Sequence, residues 1–362
     1  MDLIHNSQAS EIFREGDRIV KHFLLDCSKK RHLKFHNKAK NIKNIVPFLE
    51  IRENEIVYPF FGNTFEMFMS RSTTEQRTDA FKSICETCYE VFRLGICHGD
   101  IFHTNVLFSE EWQPILIDPW CYDLPESMAF VDSPDCYCRN KDSPHERKRH
   151  KPCLKLLAYE MGVDLDPYEH ICDVLRKKIC SCSGSETYND MKNMTYASFE
   201  NRDFKMPGWR NTVERLGQFG CEFKGKRILD IGCNCGAISL YLQELGASVT
   251  GMEINQERVD MAKEMNRFLG LGAKFRNENI ENTMGTHWEN YDLVVCLAVT
   301  GRTACEGKIL RKISEHAKEI CFESNNCGND EYARTLSNLG FKAKKVGETN
   351  GFPHRVSYYG TK

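Results

Sequence analysis

Two groups of residues in this 362-residue chain have types and spacings that suit chemistry. The first is His98-Gly99-Asp100, with Asn105 closing an Asp-x₄-Asn spacing and Asp118 ending the apolar run Ile115-Leu116-Ile117. An Asp and an Asn on one loop, with a second Asp beyond a hairpin, can face each other across a pocket. Phosphoryl transfer uses that arrangement: one carboxylate beside the attacking hydroxyl, and an Asn and an Asp holding Mg²⁺ against the phosphates of ATP. Lys21, in an upstream hairpin, offers a cation for those phosphates. The second group is Asp230-Ile231-Gly232-Cys233-Asn234-Cys235-Gly236, with Glu253 ending the next strand-like run. Glycines let a backbone approach a ligand closely, and a helix N-terminus favours polar or anionic groups. An acid at the end of the following strand suits ribose hydroxyls.

The elements that must position these groups follow from hydrophobic periodicity and turn residues. Strand-like runs at 12–13 and 18–23 flank a Glu15-Gly16-Asp17 turn, and residues 45–51 and 55–61 read as two more strands. Residues 28–43 have helical spacing, and 74–94 form an amphipathic helix ending at Gly95. Apolar runs at 105–108 and 115–117 form a hairpin between Asp100 and Asp118. Helices are expected at 152–161 and 167–179. From residue 196 strand and helix signals alternate through 227–231, 248–252, 273–277, 293–297 and 319–323, the pattern of βαβ units around a largely parallel sheet. The expected organisation is therefore two domains, 1–180 (small lobe about 1–65) and 196–362, joined by a linker at 181–195.

Composition narrows the classes. The chain carries 49 Lys plus Arg against 51 Asp plus Glu, a net charge of −2, and is 28% charged and 41% hydrophobic. These values fit neither an integral membrane protein nor a disordered chain. No global positive field recommends a nucleic-acid polymer, so no specific nucleic-acid partner is expected. Residues 29–43 carry seven Lys/Arg and no acid. They read first as a solvated helix face and second as a peripheral contact for an anionic surface. The opening residues lack an apolar signal core, so a cytoplasmic setting with reduced thiols is expected for the 18 cysteines. Cys85 and Cys88 share a helical face with Phe81, Ile84, Val91 and Phe92 and read as core. Cys136, Cys138, Cys180 and Cys182 leave metal binding open.

The glycine loop does not follow the dinucleotide pattern G-x-G-x-x-G. From Tyr196 to Lys362 the chain instead resembles the S-adenosylmethionine-dependent methyltransferases of Rossmann type. The resemblance implies that Asp230, Gly232, Asn234 and Gly236 form the cofactor loop, that Glu253 holds the ribose, and that Asn279 contacts the adenine. The family often carries a catalytic motif after the fourth strand. Here that segment reads Ala298-Val299-Thr300-Gly301-Arg302, without a general base. An acceptor that is already anionic needs no base but needs positive groups to place it. Arg302, taken as the catalytic candidate, and Arg355 are of that type.

The order Lys21, Asp100-x₄-Asn105, Asp118 resembles the protein-kinase-like superfamily, in particular the small-molecule and glycan kinases of the aminoglycoside phosphotransferase and lipopolysaccharide kinase groups. The resemblance implies a bilobal α+β domain with Asp100 catalytic, Asn105 and Asp118 on Mg²⁺, and Lys21 on the phosphates of ATP. The sequence departs from the family at the nucleotide loop, where residues 5–10 contain no glycine, and in having no Glu between Lys21 and Glu50 to pair with the lysine. Asp118 is followed by Pro-Trp rather than Phe-Gly. With domain order reversed, the pairing resembles the bacterial bifunctional kinase–methyltransferases that cap O-antigen chains. The expectation is a bifunctional enzyme acting on a glycan or small hydroxylated acceptor, with methylation of the phosphorylated product as one scheme. The alternative is a single-activity methyltransferase whose first domain only positions substrate.

Overall fold

The computed structural model describes residues 2–133, 135–136, 153–183, 194–285, 288–299, 305–324, 331–349 and 355–362. The chain divides into two compact units, Met1–Asp173 and Val174–Lys362. Residues 184–193 of the expected linker lie outside the described residues, as does Arg302. Among the described residues no helix is long and apolar enough to cross a membrane.

The first unit opens with strands β1 (Asp2–Asn6), β2 (Ser10–Glu15) and β3 (Arg18–Phe23), then helix α1 (Asp26–Ala39), β4 (Glu50–Ile51) and β5 (Glu55–Pro59). The strands form one antiparallel sheet in the order β1-β2-β3-β5-β4. Phe23, Val46, Ile56 and Tyr58 form its core, with Leu33 of α1 packed against them. The expected strand over 45–51 forms only at Glu50–Ile51. Ile45 instead bridges to Leu116, and Val46 N–H donates to the Leu116 carbonyl at 3.2 Å. Pro47 then interrupts the run, because it has no N–H to give a ladder. Residues 45–46 therefore tie this sheet to the Asp118-bearing hairpin.

Helices α2 (Phe65–Arg71) and α3 (Thr74–Arg93) follow. Thr73 starts α3 with a capping box: its Oγ1 accepts from Gln76 N–H at 3.3 Å, and Gln76 Oε1 accepts from Thr73 N–H at 2.8 Å. Phe81, Ile84, Cys85, Cys88, Val91 and Phe92 are buried along it, so the paired cysteines are packing residues here. Then come β6 (Ile96–Cys97), the hairpin β7 (Val106–Phe108) and β8 (Pro114–Leu116), and β9 (Tyr122–Asp123), which pairs with β6. The β6–β7 connection carries the Asp100–Asn105 segment. Helices α4 (Leu154–Met161) and α5 (Pro167–Cys182) complete this part, and the division between the units falls inside α5.

In the second unit β10 (Thr195–Ala197), β11 (Phe199–Glu200), β12 (Lys205–Met206), β13 (Gly208–Arg210) and α6 (Thr212–Gly217) precede the main sheet. That sheet uses β14 (Arg227–Ile231), β15 (Ser248–Glu253), β16 (Lys274–Asn277), β17 (Tyr291–Leu297), β18 (Ala317–Glu323), β19 (Lys342–Thr349) and β20 (Arg355–Thr361). Helices α7 (Ala237–Glu244), α8 (Gln256–Phe268), α9 (Glu306–His316) and α10 (Glu331–Asn338) separate them. The strand order is β16-β15-β14-β17-β18-β20-β19. β14 to β18 are parallel, and β20 runs antiparallel to both neighbours. Ile228, Leu293, Val294, Val295, Cys296, Ile320, Cys321 and Phe322 are fully buried, as parallel strands covered on both faces require. The order reverses at β14, between β15 and β17. In open α/β sheets that reversal creates a crevice at the carboxyl ends of the strands.

Candidate functional sites

In the second unit the sequence-predicted loop lies at that crevice. β14 delivers Asp230 into the interior, where Ser239 Oγ donates to its Oδ2 at 2.5 Å. Burial pushes the Asp230 carboxyl up to about 6. The chain then turns through three left-handed residues, Gly232 at φ +74°, Asn234 at +51° and Gly236 at +88°. A Cβ on Gly232 would stand 2.4 Å from Val299 Cγ2 on the loop after β17, so glycine is required for space as well as for φ. Glu253 ends β15 beside this turn. Its Oε2 accepts from Asn234 N–H at 3.0 Å, and its Oε1 accepts from Ile254 N–H at 3.0 Å and Asn255 N–H at 3.1 Å. The acid thus ties the loop to the next strand. A small cavity of about 30 Å³ opens here, lined among others by Tyr196, Arg215, Asp230, Gly232, Asn234 and Cys235.

Asn279 follows the end of β16 by two residues. Its Oδ1 caps the following 3₁₀ turn by accepting from Glu281 N–H at 2.9 Å. It is Asn277 that reaches the loop's surroundings, donating to the carbonyls of Glu253 at 3.2 Å and Ile254 at 2.8 Å. Arg355 is not a surface arginine. It is 3% exposed, and its Nη1 lies 3.4 Å from Glu323 Oε1. Arg215 makes a two-pronged pair with the same carboxylate, at 3.2 and 3.0 Å. Both guanidinium groups lie over the Tyr196 ring, at 5.6 and 5.8 Å from its centroid. The Tyr196 hydroxyl is buried and has no hydrogen-bond partner among the described residues. Sequence reasoning missed Tyr196, Arg215 and Glu323. Glu323 did carry a signal, an acid closing the buried apolar run Ile320–Phe322 in the manner of Glu253. Arg215, on a six-residue helix, carried none.

In the first unit the structure brings Lys21 and Asp118 together: Nζ lies 2.5 Å from Oδ1. His32 of α1 joins them, with Nε2 2.7 Å from the same oxygen and Nδ1 3.1 Å from the Ser28 carbonyl. No Glu lies between Lys21 and Glu50, and a histidine takes the helix position facing the lysine. Burial opposes ionisation of Asp118, but His32 and Lys21 outweigh it and hold its carboxyl well below the usual range. Asn105 Nδ2 donates to Asp100 Oδ2 at 2.7 Å, which fixes the loop carboxylate. Burial, with the Asp118 charge adding to it, holds Asp100 above its ordinary value. Asp135 anchors the loop from below by accepting from His98 N–H and Gly99 N–H, each at 2.7 Å. Neither His32 nor Asp135 was singled out from the sequence.

Lys21, His32 and Asp118 line two adjoining cavities. One is an apolar slot of about 70 Å³ walled by Ile12, Ile19, Val46, Tyr58, Phe61 and Ile117. The other is a cleft of about 580 Å³ bordered by the β1–β2 turn, Arg31 and Trp120. The turn has no glycine. Ser7 Oγ holds it instead, accepting from Ser10 N–H at 3.1 Å and from Ala9 N–H at 3.3 Å. The basic face of α1 is partly neutralised within the chain: Lys30 pairs with Asp26 at 2.6 Å, and Lys34 and Lys38 both pair with Asp123. Cys138 lies outside the described residues. Among the described residues no cluster of three or more His, Cys, Asp or Glu could hold a metal ion.

Comparison with known proteins places the second site in context. Residues 228–319 match the family model described as a methyltransferase domain. The ubiquinone biosynthesis O-methyltransferase of Proteus mirabilis is 27% identical over 94 residues, 26% of this chain and 38% of that protein. That of Actinobacillus pleuropneumoniae is 34% identical over 77 residues, 20% of this chain and 33% of that protein. The chain thus spans little more than a third of the length of these relatives. Among solved structures, the bifunctional kinase-methyltransferase WbdD aligns over 49% of this chain and 45% of its own, at 18% identity and a TM-score of 0.38. Magnesium protoporphyrin IX methyltransferase (ChlM) from Synechocystis PCC 6803 aligns over 42% and 76%, at 18% identity and a TM-score of 0.35. The family match spans 92 of the chain's 362 residues.

Proposed function

We propose that the second unit transfers a methyl group from S-adenosylmethionine, and that the first unit binds ATP–Mg²⁺ and phosphorylates a hydroxylated acceptor such as a glycan. The observation that carries the methyl-transfer reading is the Gly232–Gly236 turn held to Glu253 at the switch point of the sheet. The donor set fits the cofactor: a carboxylate for ribose hydroxyls, left-handed residues that clear space beside the strand end, and a helix N-terminus behind them. When bound, S-adenosylmethionine supplies the electrophilic methyl. This chain's residues orient it and place the acceptor within reach. Arg215 and Tyr196 line the same cavity, and Arg355 stacks on Tyr196. That setting suits an anionic acceptor oxygen, which needs positive neighbours rather than a base.

For the first unit, support comes from Lys21 and Asp118 facing each other where an apolar slot adjoins a polar cleft. The slot fits a nucleobase and the cleft its phosphates. Asp118, with Asn105 beside Asp100, would hold a nucleotide-bound Mg²⁺, which takes few protein ligands besides the phosphates. When bound, the ion would neutralise phosphate charge. Asp100, held by Asn105, would receive the acceptor hydroxyl's hydrogen bond. The reading with methyl transfer alone is favoured by one observation: Asp118 Oδ1 is already engaged by both Lys21 and His32.

Calorimetry tests both halves. S-adenosylhomocysteine is expected to bind the wild type at micromolar levels and Glu253→Ala at least tenfold more weakly. No binding to the wild type refutes the methyltransferase reading. Transfer from γ-labelled ATP to candidate glycans, lost in Asp100→Ala, is the expected kinase result. No ATP–Mg²⁺ binding leaves methyl transfer alone.

A further inference from the structure

Cys235 lies inside the proposed cofactor loop, between Asn234 and Gly236, and is 2% exposed. Its Sγ stands 3.3 Å from Sγ of Cys182, the last residue of α5. The cofactor reading does not use this contact, and no sequence spacing announces it, since 53 residues separate the two thiols. Cys182 is half-buried, so it is reachable from solvent while its partner is not. Arg258 of α8 sets its guanidinium beside the pair, and its Nε donates to the Cys182 carbonyl at 3.1 Å. A thiol near a cation, reachable from solvent and touching a second thiol, has the attributes of a redox-sensing cysteine.

We infer that Cys182 and Cys235 are a peroxide-responsive pair that closes a reversible disulfide across the cofactor loop and weakens cofactor binding. The Cys182 thiolate attacks one oxygen of a hydroperoxide. An S–O bond forms, the O–O bond breaks, and the leaving hydroxide or alkoxide takes up a proton. The Cys235 thiol then gives up its proton and attacks the Cys182 sulfur. The S–S bond forms, the S–O bond breaks, and water leaves. Two thiols are oxidised, and the peroxide is reduced to water or to water and an alcohol. Hydrogen bonding from Cys235, assisted by the Arg258 charge, lowers the Cys182 thiol and makes it the attacking group.

The consequence follows from geometry. A disulfide brings its sulfurs to about 2.05 Å, so Cys235 must move toward α5. Its own N–H is tied to Asn234 Oδ1 at 2.7 Å, and Asn234 N–H is tied to Glu253. Drawing Cys235 outward therefore pulls on the contact that sets the ribose-binding carboxylate. The regulation rests on the cofactor reading, whereas the bond itself does not.

The test uses the full chain. Reduced protein is exposed to graded hydrogen peroxide, alkylated, and mapped by peptide mass spectrometry. Affinity for S-adenosylhomocysteine is measured in parallel. Cys27, the exposed thiol among the described residues, reports that oxidant has acted. The expected result is a 182–235 linkage, an affinity at least fivefold weaker, and recovery with dithiothreitol. Cys182→Ser should match reduced wild type and lose the response. Oxidation of Cys27 while Cys182 and Cys235 both remain alkylatable overturns the proposal. A formed linkage with unchanged affinity overturns its regulatory consequence. Reduced wild type that binds no S-adenosylhomocysteine overturns the cofactor reading and the regulation with it, and the mapped linkage then decides the oxidation site alone.

Discussion

Gly232→Ala is the substitution that most directly probes why the loop needs its glycine. Two costs are separable. The residue sits at φ +74°, where an L side chain costs roughly 1–2 kcal/mol. Its new Cβ would also stand 2.4 Å from Val299 Cγ2, an overlap of the kind that costs about 1–3 kcal/mol. Gly340, in the turn between α10 and β19, isolates the first cost. Its φ is +89°, and a Cβ there would meet nothing within 4 Å. For a unit of this size each kcal/mol shifts the melting temperature by about 2–4 °C. Gly340→Ala should therefore lower the melting temperature of the second unit by about 2–8 °C and leave S-adenosylhomocysteine affinity unchanged. Gly232→Ala should lower it by about 4–20 °C and weaken binding. Adding Val299→Ala should return part of both losses, because it removes the methyl that the new Cβ meets. Differential scanning calorimetry with ligand titration measures both quantities. Equal effects at the two glycines, or no recovery in the double variant, would refute the steric half of the argument.

Three other outcomes are expected. Burial raises the Asp230 carboxyl from 3.8 to about 6, so the folded state keeps a proton that the unfolded chain releases over that range. Its contribution is full below about pH 4 and is lost as pH rises toward 6, on the order of 3 kcal/mol. Asp230→Asn should gain on wild type by that amount between pH 4 and 7 in urea titrations, and a pH-independent difference would contradict it. Arg215→Met leaves the buried Glu323 carboxylate short of its two-pronged partner and should cost about 3–5 kcal/mol by the same assay. A loss under about 1 kcal/mol would mean that water reaches the pair. His32→Ala removes one charge-assisted hydrogen bond from Asp118, worth about 1.5 kcal/mol. ATP–Mg²⁺ affinity should fall about tenfold, and unchanged affinity would show that Lys21 alone positions the carboxylate.

What the sequence made legible was local. The strand, glycine turn and helix around Asp230–Gly236 are contiguous, and Glu253 follows at a spacing set by one helix and one strand. The Asp100–Asn105 contact likewise spans five residues. The partners that were not legible are those joined only by folding. Asp135 reaches His98 across 37 residues, and Arg215 reaches Glu323 across 108. Neither pairing leaves a periodic trace. His32 was hidden differently: in a basic helical stretch it looks like one more solvated side chain, and only the packing of α1 against β3 turns it toward Lys21. The strand expected over 45–51 failed because β-branched and apolar residues fit a bridge to Leu116 as well as they fit a ladder, and Pro47 decides between them.

The placement of β20 bears on how the protein is made. It lies between β18 and β19, yet it is the last of the three to be synthesised. Until Arg355–Thr361 has emerged, the growing chain carries β18 with one edge unpaired, and that strand includes the fully buried Ile320, Cys321 and Phe322. The first unit needs none of this and can close while translation continues. The second must hold an apolar strand open until the ribosome has passed Thr361, and an exposed edge of that kind is a template for wrong pairing. Stalled or truncated products that end before residue 355 should thus be the aggregating species during expression, while the first unit within them is already folded.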